Sequence, residues 1–509
     1  MFVCHSFCCW AGEVLRIGLV RSAGLKNVSK CLRWCVALLL LSEFRCSGTC
    51  LIVLTGPMTE DSVDVRACVW FVLVMMSGIP LAFANDWSRF RGPNGDGIVT
   101  GTRLPAKWDE GTNVAWKTKI PGRGWSQPVV AGDKLFVTAA VSENEEKPRR
   151  FERGIIPDAR DARADTYQWK IYCLTATTGE ILWEAVASEG NPAMPKHRSN
   201  TYASETPVTD GERVICCFGI RGLVCYDMSG KPQWQVQLGE FQTQAGWGTG
   251  SSPVILDDAV LVQCDNEKSS FLVALNKRTG AELWRIVREE STNWSTPYVW
   301  KNKLRTELVI AGGAKIRSYD PESRKVLWEM AGSGRTSVSP VADDEQIYVD
   351  SVDRFRGSPG RLAAIRVGAT GDISLPDNGG PTSSEFVSWQ VLLKSYRNAS
   401  PVLYDGGVYM LEQNSGIVRC FDAKTGELQF QQRLPNSAGF TASPWVNDGK
   451  IYLLDETGLT VAIGPGPKLN LLESNKLDDE LFWSSIAVCG DRLLIRSVNH
   501  LYCIQEAKP

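Results

Sequence analysis

Eight places along the chain set an aromatic or cationic side chain among glycine and small polar residues: Trp125, Tyr202, Trp247, Trp294, Arg335, Arg397, Phe440 and Trp483. Most stand just ahead of a Ser/Thr-Pro or related signal, and Trp125 and Trp294 lie three residues before the proline. Rings and guanidinium groups so placed can line a funnel that takes an extended peptide, a sugar or a planar ligand. The same side chains can equally pack between neighbouring elements, and spacing alone leaves both readings open. Other chemistry is thin. Three histidines, His5, His197 and His500, cannot build a His-rich metal site. Asn94-Gly-Asp96-Gly97 offers two oxygen side chains where calcium takes about six to eight, so it reads as a turn. His197-Arg198-Ser199-Asn200 reads as solvated loop, and Asp350 and Asp353 as loop carboxylates. No catalytic residue and no metal ligand is assigned.

The elements that position these residues come from a recurring stretch. Cys420-Phe-Asp-Ala-Lys-Thr-Gly-Glu-Leu-Gln-Phe430 is a small residue, a polar turn ending in Thr-Gly, and a strand closing on an aromatic. The same shape stands at Cys173–Trp183 and Ala274–Trp284; Ser318–Trp328 lacks the glycine and Cys225–Trp234 is one residue shorter. The opening signal recurs at Pro128, Pro207, Pro253, Pro297, Pro340, Pro401 and Pro444, with Ser485-Ile486-Ala487 as a degenerate eighth. Within one unit, Asp-Gly, Ser-Gly and Thr-Gly turns separate four short strands, because glycine supplies the positive φ such turns need. Four strands in roughly 40–45 residues is the size of a propeller blade.

The fold expected is therefore all-β: an eight-bladed propeller of four-stranded antiparallel blades over residues 113–509. The last unit, Ser484–Gln505, holds only three strands, and Asn113–Ile120 upstream looks like an orphan fourth strand. Pairing the two closes the ring and removes open sheet edges. The closing aromatics Trp116, Trp183, Trp234, Trp284, Trp328 and Phe430 are expected to dock between blades, each packing over the small first residue of a neighbour's motif. That makes Cys173, Cys225, Cys420 and Cys503 buried space-fillers. Insertions interrupt the first unit at Val141–Asp165 and the fifth at Ala369–Phe386. Residues 85–112 form an N-terminal extension, expected to run along the closing blade.

A formal charge of −2 without basic clusters argues against nucleic acid. Eight of the sixteen cysteines precede residue 85, in sequence without strand or helix logic. Residues 1–84 read as a leader: Ala67–Ala84 is an apolar run after Arg66, ending in the small-x-small signal Ala82-Phe-Ala84, with Met58 as the expected true start. No lipidation cysteine sits at the cleavage point. The mature chain is expected to be exported to the periplasm or cell surface, without a membrane span, and monomeric.

With the motif assembled, the chain resembles the quinoprotein-type eight-bladed propellers, through the small-x5-Gly-x3-Trp pattern of Cys173/Gly179/Trp183 and Ala274/Gly280/Trp284. The opening Asp86–Pro128 resembles exported propellers common in planctomycete genomes. One branch of the resemblance implies a dehydrogenase, with pyrroloquinoline quinone in the funnel, calcium held by acidic and amide side chains, a catalytic Asp and a vicinal disulfide. Cys216-Cys217 is the one hint of that branch, yet it lies within a strand, where neighbouring side chains point apart. The other branch, similar to the outer-membrane barrel assembly factor, implies a cofactor-free scaffold that binds protein. The expectation favoured here is a binding module for protein or carbohydrate acting through its funnel face. The alternative is a dehydrogenase dependent on the quinone and calcium.

Overall fold

The computed structural model describes residues 86–144, 159–352, 359–376, 382–394, 396–478 and 480–507. The leader, with its signal-peptide reading, and Asp353 lie outside the described residues. Eight sheets follow one another along the chain, and in each the strand order is a simple antiparallel meander. Blade 1, for example, comprises Val129–Ala131, Lys134–Val141, Tyr167–Thr175 and Ile181–Gly190. Helix is confined to two three-residue 3-10 turns among the described residues.

Closure occurs as expected. Val114–Lys119 pairs antiparallel with His500–Ile504, with Thr118 opposite Leu501 and Lys119 opposite His500. Blade 8 is thus built from both ends of the ring, with Ala487–Cys489 innermost and Val114–Lys119 outermost.

A second device holds the blades together near the axis. The residue before each opening proline is Gln127, Thr206, Ser252, Thr296, Ser339, Ser400 or Ser443, with Ser485 in the degenerate copy. The backbone N–H of each donates to the side-chain oxygen of its counterpart in the next blade: Gln127 to Thr206 at 3.1 Å, Thr206 to Ser252 at 2.9 Å, Ser252 to Thr296 at 3.2 Å. Thr296 to Ser339, Ser339 to Ser400, Ser400 to Ser443 and Ser443 to Ser485 continue at 3.0, 3.0, 3.1 and 3.0 Å. The longer Gln127 side chain closes the circle by donating to the carbonyl of Ile486.

Toward the outside, indole rings bridge blades. Trp116, Trp183 and Trp234 donate their Nε1–H to carbonyls in the third-to-fourth-strand turn of the next blade, at Ala176 (3.0 Å), Met228 (3.3 Å) and Lys277 (3.0 Å). The turn glycine is obligatory there. Gly280 has φ 73° and a Cβ on it would stand 2.8 Å from the Trp234 ring. This corrects the expected partner of the small motif residues. Cys173, Ala274, Ser318, Cys420 and Cys225 lie opposite Trp183, Trp284, Trp328, Phe430 and Trp234 of their own blade. The neighbour contributes the glycine turn instead. Trp284 and Phe430 also pack onto the following blade. Trp328 is fully buried in the core shared by blades 4 and 5, but its Nε1 donates to Glu307 in its own blade (2.8 Å), and Trp300 makes the hydrogen-bonded bridge to Asp343 (2.7 Å). Trp389 docks on the carbonyl of Ala423 (2.9 Å) and the ring covers Gly426, although the fifth unit lacks the turn that would have marked it.

The insertions do more than loop. In the first, Ala159–Arg160 pairs with Lys196–His197. In the second, Gly371–Asp372 adds a short parallel fifth strand to blade 4. The N-terminal extension reaches beyond the closing blade. Trp87, Leu104 and Trp108 lie in the core cluster that holds Ala487, Leu494 and Tyr502 of blade 8, and the segment also binds blade 7 through Ile98 beside Val446, Asn447 beside Thr102 and Leu104, and Asn475 beside Ala106 and Trp108. Blade 7 has Glu473 where an aromatic would close the motif, and Trp108 is buried in the cluster of Tyr452, Leu477 and Tyr502. Upstream, carbonyls of Trp87 and Ser88 accept from Val130 of blade 1 and Thr209 of blade 2, while Arg91 donates to Pro401 of blade 6. The extension therefore crosses the axis.

Trp389→Ala is expected to cost about 3–5 kcal/mol, as large aromatic truncations in cores do. Urea denaturation of the purified protein measures it; an unchanged midpoint would remove Trp389 from the blade interface.

Candidate functional site

The second-to-third-strand loops and the links between blades surround a cavity of about 230 Å³ on the axis. Its lower wall is the belt just described, through Gln127, Thr206, Ser252, Thr296, Ser443 and Ser485, and Phe90 of the extension also lines it. Above them stand Trp125, Trp247, Trp294, Trp483, His197, Asn200, Arg335, Asn398 and Gln413. Among the described residues no aspartate or glutamate lines this cavity.

Of the eight residues singled out in sequence, five line it: Trp125, Trp247, Trp294, Arg335 and Trp483. The indoles come in pairs. Trp125 and Trp483 have ring centroids 5.3 Å apart, and Trp247 and Trp294 lie stacked at 6.0 Å. Trp125 donates Nε1–H to Ser199 (2.7 Å) and Trp294 to Gly248 (2.8 Å), which pins each ring to the neighbouring link. Arg335 is tied to Glu267, with Nη2–Oε1 at 3.1 Å. Trp125, Trp247 and Trp483 are under a tenth exposed, and Trp294 is half-buried.

The other three lie away from it. Tyr202 packs its ring on Tyr167 and Trp169 and donates its hydroxyl to Met194 (2.7 Å). Phe440 is fully buried in the core shared by blades 6 and 7. Arg397 is buried and forms a two-pronged ion pair with Asp350, at 2.7 and 2.6 Å. Asp350 is correspondingly no loop carboxylate but a buried residue of strand Gln346–Ser351. His197 and Ser199 are not solvated loop either: they line the cavity, with His197 Nδ1 2.7 Å from the Ser199 hydroxyl.

Sequence reasoning missed two polar side chains. Gln413 lines the cavity, is 1% exposed, and neither its Nε2 nor its Oε1 has a hydrogen-bond partner among the described residues. Glu205, beside the belt residue Thr206, is buried with Cys217 and Cys264 near its carboxyl. Burial pushes this carboxyl up to about 7, against the opposing pull of the Thr249 hydroxyl and nearby backbone N–H groups. Nothing in the Glu-Thr-Pro tripeptide signals that burial, which depends on two blades closing over it.

The quinone branch requires a donor set that can be checked. Cys216 and Cys217 are free thiols on strand Arg213–Cys217, and they belong to different core clusters on opposite faces of their sheet. Neither lines the funnel. Among the described residues no three His, Cys, Asp or Glu side chains come together as a metal-holding group. The described residues of the cavity wall include no carboxylate, so none of them could serve as an acidic calcium ligand or a catalytic Asp.

Two outcomes follow for the buried charges. The ordinary value for the Glu205 carboxyl is 4.5. Between pH 4.5 and about 7 the folded state holds a proton that the unfolded state has released, so stability falls as pH rises across that window and levels off above it. Glu205→Gln is expected to flatten the slope of thermal stability between pH 5 and 7 and to raise stability at pH 8; a slope unchanged by the substitution would assign the pH dependence elsewhere. Arg397→Met leaves Asp350 buried without its cation and is expected to cost about 3–5 kcal/mol in urea denaturation. A loss under 1 kcal/mol would mean that the pair is solvated in solution.

The comparisons with known proteins agree with this architecture. Residues 162–367 match the family model described as outer membrane protein assembly factor BamB. No curated protein matches the chain. Among solved structures, a europium-containing methanol dehydrogenase is 12% identical, with 84% of this chain and 92% of that one covered at a TM-score of 0.51. BamB from Moraxella catarrhalis is 14% identical, with 78% and 99% covered at a TM-score of 0.45. No helix among the described residues is long and apolar enough to cross a membrane. The closed ring of docked blades makes this chain an eight-bladed β-propeller, with residues 162–367 similar to the assembly-factor family model.

Proposed function

We propose that this propeller is an exported, non-catalytic binding module that takes a protein or carbohydrate ligand through its funnel face. The observation that carries the reading is the wall of the axial cavity: indoles, amides, hydroxyls, one imidazole, one arginine already paired and, among the described residues, no carboxylate. Such a wall offers shape and hydrogen bonds, with His197 its one titratable side chain of ordinary range among the described residues and no described carboxylate to hold a hard cation. The likeness of residues 162–367 to an assembly-factor family supports a protein partner, as the function of that family's namesake is assembly. Export is supported by the apolar run Ala67–Ala84 and its small-x-small ending.

The likeness to a methanol dehydrogenase extends to the fold alone. A fold of this kind hosts unrelated functions, so the reading rests on the site.

Two measurements test it on the full-length protein. Pyrroloquinoline quinone and Ca²⁺ are added together and the absorption spectrum, melting temperature and dye-linked alcohol oxidation recorded; no adduct and no turnover are expected, and a stable adduct with turnover would overturn the proposal. The immobilised protein is also offered a library of unstructured decapeptides and an array of neutral oligosaccharides. Binding from one of them is expected, weakened at least tenfold by Trp294→Ala, whose ring is the most exposed of the four indoles. Silence from both would sink the binding reading.

A further inference from the structure

Gln413 stands out among the polar groups of the cavity wall. Its main chain is held on both sides, the N–H donating to Tyr396 (2.9 Å) and the carbonyl accepting from Phe440 (3.1 Å). The side-chain amide is therefore presented from a fixed backbone. It carries two donors and an acceptor that lie side by side, and all of them are unpaired in a residue that is 1% exposed. Burial of unmade hydrogen bonds costs about 1–3 kcal/mol per group, so native proteins seldom keep such an amide idle. Trp483 Nε1 on the same wall is a further donor without a partner.

We propose that the funnel takes an extended peptide and that the Gln413 amide clamps one of its residues, Nε2–H to that residue's carbonyl and Oε1 to its N–H. This rests on the binding reading above and specifies its ligand. The match is geometric: in an extended chain the N–H and C=O of one residue point to the same side, which is how antiparallel strands exchange paired hydrogen bonds. A primary amide presents the complementary pair. Wall composition points the same way. Each indole gives one face to its partner, Trp125 to Trp483 and Trp247 to Trp294, and three of the four rings are under a tenth exposed. A pyranose would find little open ring face to stack on, and no carboxylate to take its hydroxyl protons. A peptide backbone needs neither.

The clamp makes a prediction of opposite signs in one variant. Gln413→Leu removes an amide whose hydrogen bonds are unmade in the free protein, so the melting temperature should hold or rise, while affinity for peptides selected from the decapeptide library should fall at least tenfold. A scan of single N-methyl groups along the best peptide should find one position where methylation costs wild type at least tenfold and costs Gln413→Leu nothing further. The N-methyl scan on wild type stands alone if the variant fails to fold. A melting temperature lowered by several degrees with peptide affinity intact would make Gln413 a structural residue satisfied by water, and would overturn the clamp. Peptide binding indifferent both to Gln413→Leu and to N-methylation would do the same while leaving a peptide-binding funnel. Glycan binding without peptide binding would overturn the clamp and keep the binding module, whereas silence from both libraries removes both.

Discussion

The innermost strand of every blade has an edge that no further strand can pair, and all eight edges converge on one axis where little water can enter. Backbone N–H groups buried there need partners. The belt of Ser and Thr oxygens supplies them in blades 2 to 8, each accepting from the blade before at 2.9–3.2 Å. Proline immediately after every belt residue but Ser485 holds that residue in extended backbone, which keeps donor and acceptor at the same height from blade to blade. Each bond is worth only about 1 kcal/mol net, but a missing one leaves a buried donor, and a ring makes every member dependent on the rest. The radius of the channel, and with it the size of the funnel floor, follows from that spacing.

The belt also explains why blade 8 differs. Its opening signal lacks proline, and the counterpart in blade 1 is glutamine rather than a hydroxyl residue. Gln127 accepts from Arg91 through Oε1 at 2.9 Å and donates to Ile486 through Nε2, so one longer side chain both closes the circle and anchors the N-terminal extension. Farther out, the same junction is secured by Val114–Lys119 and by Trp116 over Gly179. The joint between chain ends thus has inner, middle and outer fastenings, where ordinary junctions have a belt bond and a docked ring.

For function, the consequence is a frame with a cavity at its centre that no carboxylate lines among the described residues. The buried guanidinium groups around it serve the frame. Arg397 meets Asp350 and Arg288 meets Asp265 at 2.9 Å, while Arg496 is held by the carbonyls of Ser126 and Thr138, and burial draws its pKa down to about 9. Arg335 alone among the arginines lines the cavity, and Glu267 neutralises it. What is left facing the cavity among the described residues is amide, hydroxyl and indole chemistry with the one imidazole of His197, suited to recognition by shape and hydrogen bonds.

How much was legible in advance divides along physical lines. Blade number, strand boundaries and ring closure were written in the chain, because a repeated turn needs glycine at a fixed place, a repeated start needs proline, and an incomplete last unit needs a strand from the front. Trp125, Trp294 and Trp483 were legible as funnel residues since their distance from the opening signal sets their height above the belt. Tyr202, Arg397 and Phe440 share that setting in sequence yet face other ways, and Trp389 docks without its signature turn. Gln413 and Glu205 carried no pattern at all. Whether a polar side chain finds a partner, and whether a carboxyl loses its water, depends on which neighbouring blade closes over it. That is a property of the assembled ring, and only the tertiary structure decides it.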